Sequence, residues 1–177
     1  MNKRELESGL LKIKKDVSEY LIPNSNLIYQ KTIHELIKPF EKLKINKVVA
    51  IDMKGLLYGP VIANKLKVPF VPILKGGKIK NKKKILSKSF IDYSGQKKKI
   101  ELLRNSINFK DKILLVDDWF DSGNTGKAAI KLIEESRGVV KGISVIFNQL
   151  KKSEEDYFKK YNYHFLVRLK PKESQKR

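Results

Sequence analysis

Residues 113–133, ILLVDDWFDSGNTGKAAIKLI, decide how the rest of the chain is read. Ile113–Val116 is an apolar run that reads as a buried strand, and it ends in two acids, Asp117 and Asp118. A turn of small residues follows, after which Ala128, Ala129, Ile130, Leu132 and Ile133 recur at helical spacing. Gly123 and its small neighbours let the backbone curl so that successive N–H groups point inward at a helix start, a site suited to a phosphate monoester. Ser122 and Thr125 add hydroxyl donors to that turn. Carboxylates repel phosphate, so Asp117 and Asp118 suit ribose hydroxyls, a hydrated Mg²⁺, or both. A sugar phosphate satisfies both halves. A Walker A loop does not fit, because the residue five before Gly126 is Asp121 and Lys127 is followed by Ala128.

Outward from this segment the chain alternates strands and helices. KVVAID (47–52), FVPIL (70–74), VVKGISVIF (139–147) and HFLVRL (164–169) read as further strands, with SFIDY (89–93) as a shorter one. LLYGPVIANKL (56–66) reads as a helix, and apolar spacing predicts helices over 5–20 and 32–43, the latter carrying Pro39. The Gly-Lys-rich stretch 75–86 reads as a mobile loop, and the tail 171–177 as polar and frayed. The pattern predicts one α/β domain, mainly parallel, with ligand beyond the carboxyl ends of the strands. Its expected division is a helical extension over 1–46, a core over 47–170 and the tail.

Composition narrows the function. The chain has 177 residues and no cysteine, which excludes disulfides and thiolate sites, and its two histidines leave no ligand set for structural zinc. No segment has the ~18 apolar residues of a membrane span, and no signal peptide is legible, so the expected location is the cytoplasm. With 39 Lys and Arg against 19 Asp and Glu, the net charge is +20. That imbalance favours a polyanionic partner, whether nucleic acid or a phosphorylated small molecule, or else reflects a lysine-rich coding bias.

Four apolar residues, Asp117-Asp118, two more residues and then Asp121-Ser122-Gly123-Asn124-Thr125 resemble the phosphoribosyl pyrophosphate (PRPP) signature of type I phosphoribosyltransferases. The resemblance runs in order over about residues 47–150 and is closest to the adenine-specific branch. It implies a Rossmann-like fold with a small N-terminal hood, transfer of ribose 5-phosphate from PRPP to a purine with release of pyrophosphate, a Mg²⁺ cofactor and a homodimer. It places the ribose and phosphate on Asp117, Asp118, Asp121, Ser122, Gly123, Asn124 and Thr125, with Mg²⁺ on Asp117 and Asp118 through water. Met53, Lys54 and Gly55 resemble the pyrophosphate loop, although the family's Ser-Arg is Met53-Lys54 here, and Lys75 and Lys78 match basic positions beside it. FIDYSG (90–95) resembles the flexible lid, with Asp92 where the adenine branch has a glutamate and Tyr93 beside the base. Trp119 and Phe120 are aromatic candidates for stacking on that base.

Three acids, Asp92, Asp118 and Asp121, are the catalytic candidates, and the last of them bears on the choice of base. Adenine enzymes usually carry a small residue at the position of Asp121, whereas enzymes for hypoxanthine, guanine or xanthine carry aspartate. YLIPNSNLIYQKT (20–32) also departs from the usual adenine hood. The lid and lysine loop favour adenine, with 6-oxopurines as the alternative. A non-catalytic PRPP sensor that binds nucleic acid is the competing reading from another class, and a protein that only binds or hydrolyses a phosphosugar is a third.

Overall fold

The sheet has seven strands in the order β3-β4-β2-β1-β5-β6-β7. The computed structural model describes residues 1–16, 19–81, 83, 85–92 and 95–171. Five strands form its parallel body: β1 (Lys47–Ile51), β2 (Phe70–Lys75), β5 (Lys112–Phe120), β6 (Val139–Asn148) and β7 (Tyr163–Arg168). The chain passes from β1 outward to β2, and later returns to the opposite side of β1 with β5. The strand order therefore reverses between β1 and β5, where the connections diverge to opposite sides and leave a crevice at the carboxyl ends. A hairpin of β3 (Ile85–Ile91) and β4 (Lys97–Leu103) extends the sheet antiparallel to β2.

Alternation along the central strands feeds two cores. Val49, Ile51, Ile113 and Leu115 face α4 (Asn124–Glu135) and α5 (Lys152–Lys159), where Ile130, Ile133 and Phe158 are buried. Val48, Ala50, Leu114 and Val116 face α1 (Lys3–Asp16), α2 (Asn26–Ile37) and α3 (Gly59–Leu66), which bury Leu6, Leu10, Ile33, Leu36 and Ile62. The N-terminal helices thus cover one face of the sheet. No helix among the described residues is long and apolar enough to cross a membrane.

Several boundaries differ from the sequence expectation. The second helix runs from Asn26 to Ile37 and gives way to a short 3₁₀ turn, Lys38–Phe40, because Pro39 has no N–H to donate and disfavours helix in the residue before it. The segment 56–66 divides into a 3₁₀ turn, Lys54–Leu57, and α3, with Pro60 at the start of the helix. The expected loop 75–86 is shorter: Lys75 completes β2, and β3 has begun by Ile85. β4 and α5 were not expected. The expectation for the tail lies almost wholly outside the described residues.

At the amino end of the sheet, Lys47 and Asp111 form a buried ion pair with an Nζ–Oδ2 distance of 2.5 Å. Lys47 also donates to the Ser106 carbonyl at 2.9 Å, and the Asn108 N–H donates to Asp111 at 2.7 Å. Removing one partner of such a pair leaves the other charge buried. Asp111→Ala is expected to lose about 3 kcal/mol in urea unfolding, and a loss below ~1 kcal/mol, the range of an exposed pair, would contradict this role.

Candidate active site

The carboxyl ends of β1 and β5 lie side by side and open into a cleft of about 740 Å³. Asp52, immediately after β1, is 5% exposed. Its carboxylate accepts the Lys75 N–H at 3.0 Å and a short hydrogen bond from the Lys78 ammonium. Burial opposes its charge, but those two hydrogen bonds and the charges of Lys78 and Lys75 outweigh it and hold the carboxyl below the usual range. The Asp52–Met53 peptide is cis, and Met53, half exposed, and Lys54 continue into the cleft wall.

Asp117 has the opposite environment. It is buried in β5, and burial followed by the charge of Asp118 pushes its carboxyl well above the ordinary range. The Asp118 N–H donates to Asp117 at 2.9 Å, and Lys54 reaches Asp118 at 3.6 Å. Gly55 packs tightly here. A Cβ on it would stand 3.1 Å from both the Asp117 carboxylate and the Val116 carbonyl, closer than ordinary contact, so a larger residue would have to move its neighbours by a few tenths of an ångström.

The turn after β5 leads into the start of α4 beside the cleft. Gly123, with φ +70°, precedes α4, and a Cβ there would lie 2.7 Å from the Phe158 ring, so both conformation and packing demand glycine. The first-turn N–H groups of α4 have no intrahelical acceptors and carry the positive end of the helix dipole. Thr125 and Asp121 line the cleft beside them, and Asp121 accepts the Ser122 N–H. Asn124 turns outward and donates to the Ile91 carbonyl of β3 at 2.9 Å, fastening the hairpin over this helix start.

The two aromatic residues separate. Trp119 lines the cleft, its indole N–H donating to Gln149 at 3.2 Å and the Lys14 ammonium of α1 lying 5.0 Å from the ring centre. Phe120 does not serve as a stacking residue. Successive strand residues point to opposite faces, and its ring is 1% exposed, packed against Phe158 and Tyr163 in the core. Tyr93 lies outside the described residues. Asp92 lines the cleft from the hairpin tip, where it accepts the Gln96 N–H at 3.0 Å.

Sequence reasoning missed the second strand of the hairpin as a cleft wall. Lys97, Lys98 and Lys99 all border the cavity, and Lys98 is 4.0 Å from Asp92. The signal for them was faint, since a lysine run beside a glycine reads as a solvated loop. Gln149, which fixes Trp119 in place, carried no signal at all.

This arrangement brings the glycine turn at a helix start, paired carboxylates and cationic loops to one cleft. The phosphoribosyl transferase domain family matches residues 17–173. An adenine phosphoribosyltransferase of Clostridium botulinum is 33% identical over 153 residues, 86% of each chain. Another, from Leptospira biflexa, is 33% identical over 135 residues, 76% of this chain and 73% of the relative. Among solved structures, the adenine phosphoribosyltransferase of Rhodothermus marinus aligns with a TM-score of 0.76 at 26% identity, covering 86% of this chain and 85% of that one. Fold, cleft and kinship agree, and the chain belongs to the phosphoribosyltransferase family.

Proposed function

We propose that this protein transfers the 5-phosphoribosyl group of PRPP to a purine base, adenine first, with release of pyrophosphate. The observation that carries this reading is the meeting, in one cleft, of the Asp121–Thr125 turn, the Asp117–Asp118 pair and the lysines at 54 and 75. That the relatives are adenine phosphoribosyltransferases favours adenine as the base.

In the reaction the C1–oxygen bond to pyrophosphate breaks, a C1–nitrogen bond to the base forms, and the base gives up a proton. The turn at 121–125 holds the 5-phosphate, and the carboxylates at the end of β5 hold the ribose hydroxyls. Lys54 and Lys75, with Lys78 beside Asp52, offset the charge of the departing pyrophosphate, which must be stabilised as the sugar carbon turns cationic. Asp92 and the hairpin shield that carbon from water, and Trp119 provides a flat face for the base. Mg²⁺, when bound with the donor, would neutralise part of the pyrophosphate charge. Asp117 and Asp118 fit it as ligands through water, since a dication would offset the burial and the neighbouring Asp118 charge that raise Asp117. A cytoplasmic homodimer completes the proposal.

A second reading, transfer to a 6-oxopurine, is favoured by one feature: Asp121 borders the cleft, where a carboxylate can take a proton from the imidazole ring of the base.

The test is pyrophosphate release from PRPP and Mg²⁺ with adenine, hypoxanthine, guanine, xanthine, uracil and orotate offered separately. Release with adenine and formation of its nucleotide is expected. Salt-sensitive binding to polynucleotide with no release on any base would identify a PRPP-sensing regulator instead. Asp118→Asn is expected to lower turnover by at least ~100-fold with the fold retained by circular dichroism; unchanged turnover would remove Asp118 from the site. Asp121→Ala is expected to depress any 6-oxopurine activity more than adenine activity, and an equal loss on every base would count against its placement at the base.

A further inference from the structure

Gln149 stands where β6 leaves the sheet, and its side chain is held at both ends. The indole N–H of Trp119 donates to its Oε1 at 3.2 Å, and its Nε2 donates to the Lys170 carbonyl, beyond β7, at 2.9 Å. An indole N–H can only donate and a carbonyl can only accept, so these two partners fix which way round the amide lies. A carboxylate would meet the Lys170 carbonyl with an oxygen, and an apolar side chain would satisfy neither partner. Of side chains this long, glutamine serves both.

The backbone that carries Gln149 is pinned just as closely. Its own N–H donates to the Phe120 carbonyl at 2.8 Å. Asn148, fully buried, accepts the Leu150 N–H on Oδ1 at 3.0 Å and donates from Nδ2 to Glu155 at 2.9 Å, and Arg168 donates to the same Glu155 oxygen at 2.6 Å. The Leu169 N–H donates to the Asn148 carbonyl at 2.8 Å, which brings the segment after β7 alongside. The Phe147 ring and the Lys14 ammonium lie 5.2 and 5.0 Å from the indole of Trp119, and neither they nor Gln149 border the cleft. The indole is therefore held from outside the cavity that it lines.

We propose that Gln149 is a positioning residue for the base: by engaging the indole N–H it sets the plane that Trp119 offers to the purine. This inference rests on the transferase reading above. With its N–H committed to Gln149, Trp119 has only its face to give, and stacking on a face suits any flat base. The platform holds purines as a class, and the choice among them falls to other groups in the cleft. A merely structural glutamine would, on removal, weaken sugar phosphate and base alike. A positioning glutamine weakens the base selectively.

The experiment compares adenosine 5′-monophosphate (AMP), which carries the base, with ribose 5-phosphate, which lacks it, by calorimetric titration of the full chain. Trp119 is the only tryptophan, so tryptophan fluorescence reports this ring directly. AMP is expected to quench it in the wild-type chain, and ribose 5-phosphate is not. Gln149→Met keeps the length but has no amide. It is expected to weaken AMP about tenfold, while ribose 5-phosphate affinity changes less than about twofold and the melting temperature holds. Gln149→Ser, too short to reach either partner, decides in the same way if Gln149→Met does not fold. In a Trp119→Phe background, where the ring has no N–H, the change at Gln149 is expected to weaken AMP by less than a further factor of about two. Unchanged AMP affinity in the folded Gln149 variant, equal losses for AMP and ribose 5-phosphate, or the same AMP loss persisting in Trp119→Phe overturns the inference. So does AMP binding to the wild-type chain without quenching. A wild-type chain that binds neither AMP nor ribose 5-phosphate overturns the transferase reading, and this inference with it.

Discussion

Asp52 immediately follows β1, Asp117 lies on the neighbouring parallel strand β5 just past its last residue paired with β1, and both carboxylates are buried at the cleft. A buried carboxylate is costly unless its surroundings either compensate its charge or let it go neutral. The structure does this with unequal partners. Asp52 receives a backbone N–H and a lysine that together outweigh its burial and hold it ionised, whereas burial, with the charge of Asp118 added, pushes Asp117 toward its neutral form. The cleft is cationic on the Lys75–Lys78 side and acidic on the side of β5, which is the charge pattern a pyrophosphate attached to a ribose requires.

Close approach of backbone makes this possible. The Lys54 loop lies close against β5 with Gly55 leaving room beside the Asp117 carboxylate, and α4 can begin over Phe158 only because Gly123 has no side chain. Asn124 then joins the helix start to the hairpin, and the Gly76 N–H, donating to the Lys99 carbonyl, joins the hairpin to the segment after β2. The turn after β5, the β3–β4 hairpin and the segment after β2 are thus connected through groups that do not all face the cleft.

Much of this was legible in the sequence wherever the information is local. The turn after β5 could be read because its glycine, hydroxyls and acids are contiguous, and the parallel strands because burial on both faces makes them continuous apolar runs. β4 was not legible: KKKIELL places three lysines toward its cleft end, and only Ile100 and Leu102 carry an apolar signal for the core. α5 was missed for a similar reason, since Phe158 is its one buried residue. Phe120 was misplaced because adjacency to Trp119 says nothing about which face of a strand a ring occupies. Glu101 is the hardest case. An acid in a polar stretch reads as surface, and only the three-dimensional pairing of β2 with β4 shows that it is enclosed.

The central claim is that one cleft holds a sugar phosphate with its phosphate on the Asp121–Thr125 turn and its ribose on the Asp117–Asp118 pair. A crystal structure of the wild-type chain with ribose 5-phosphate, pyrophosphate and Mg²⁺ tests it most directly. The account predicts the monophosphate against the N–H groups at the start of α4, the ribose hydroxyls on the carboxylates of β5, and pyrophosphate between Lys54 and Lys75. Ribose 5-phosphate bound away from that turn, or pyrophosphate bound outside this cleft, would contradict it.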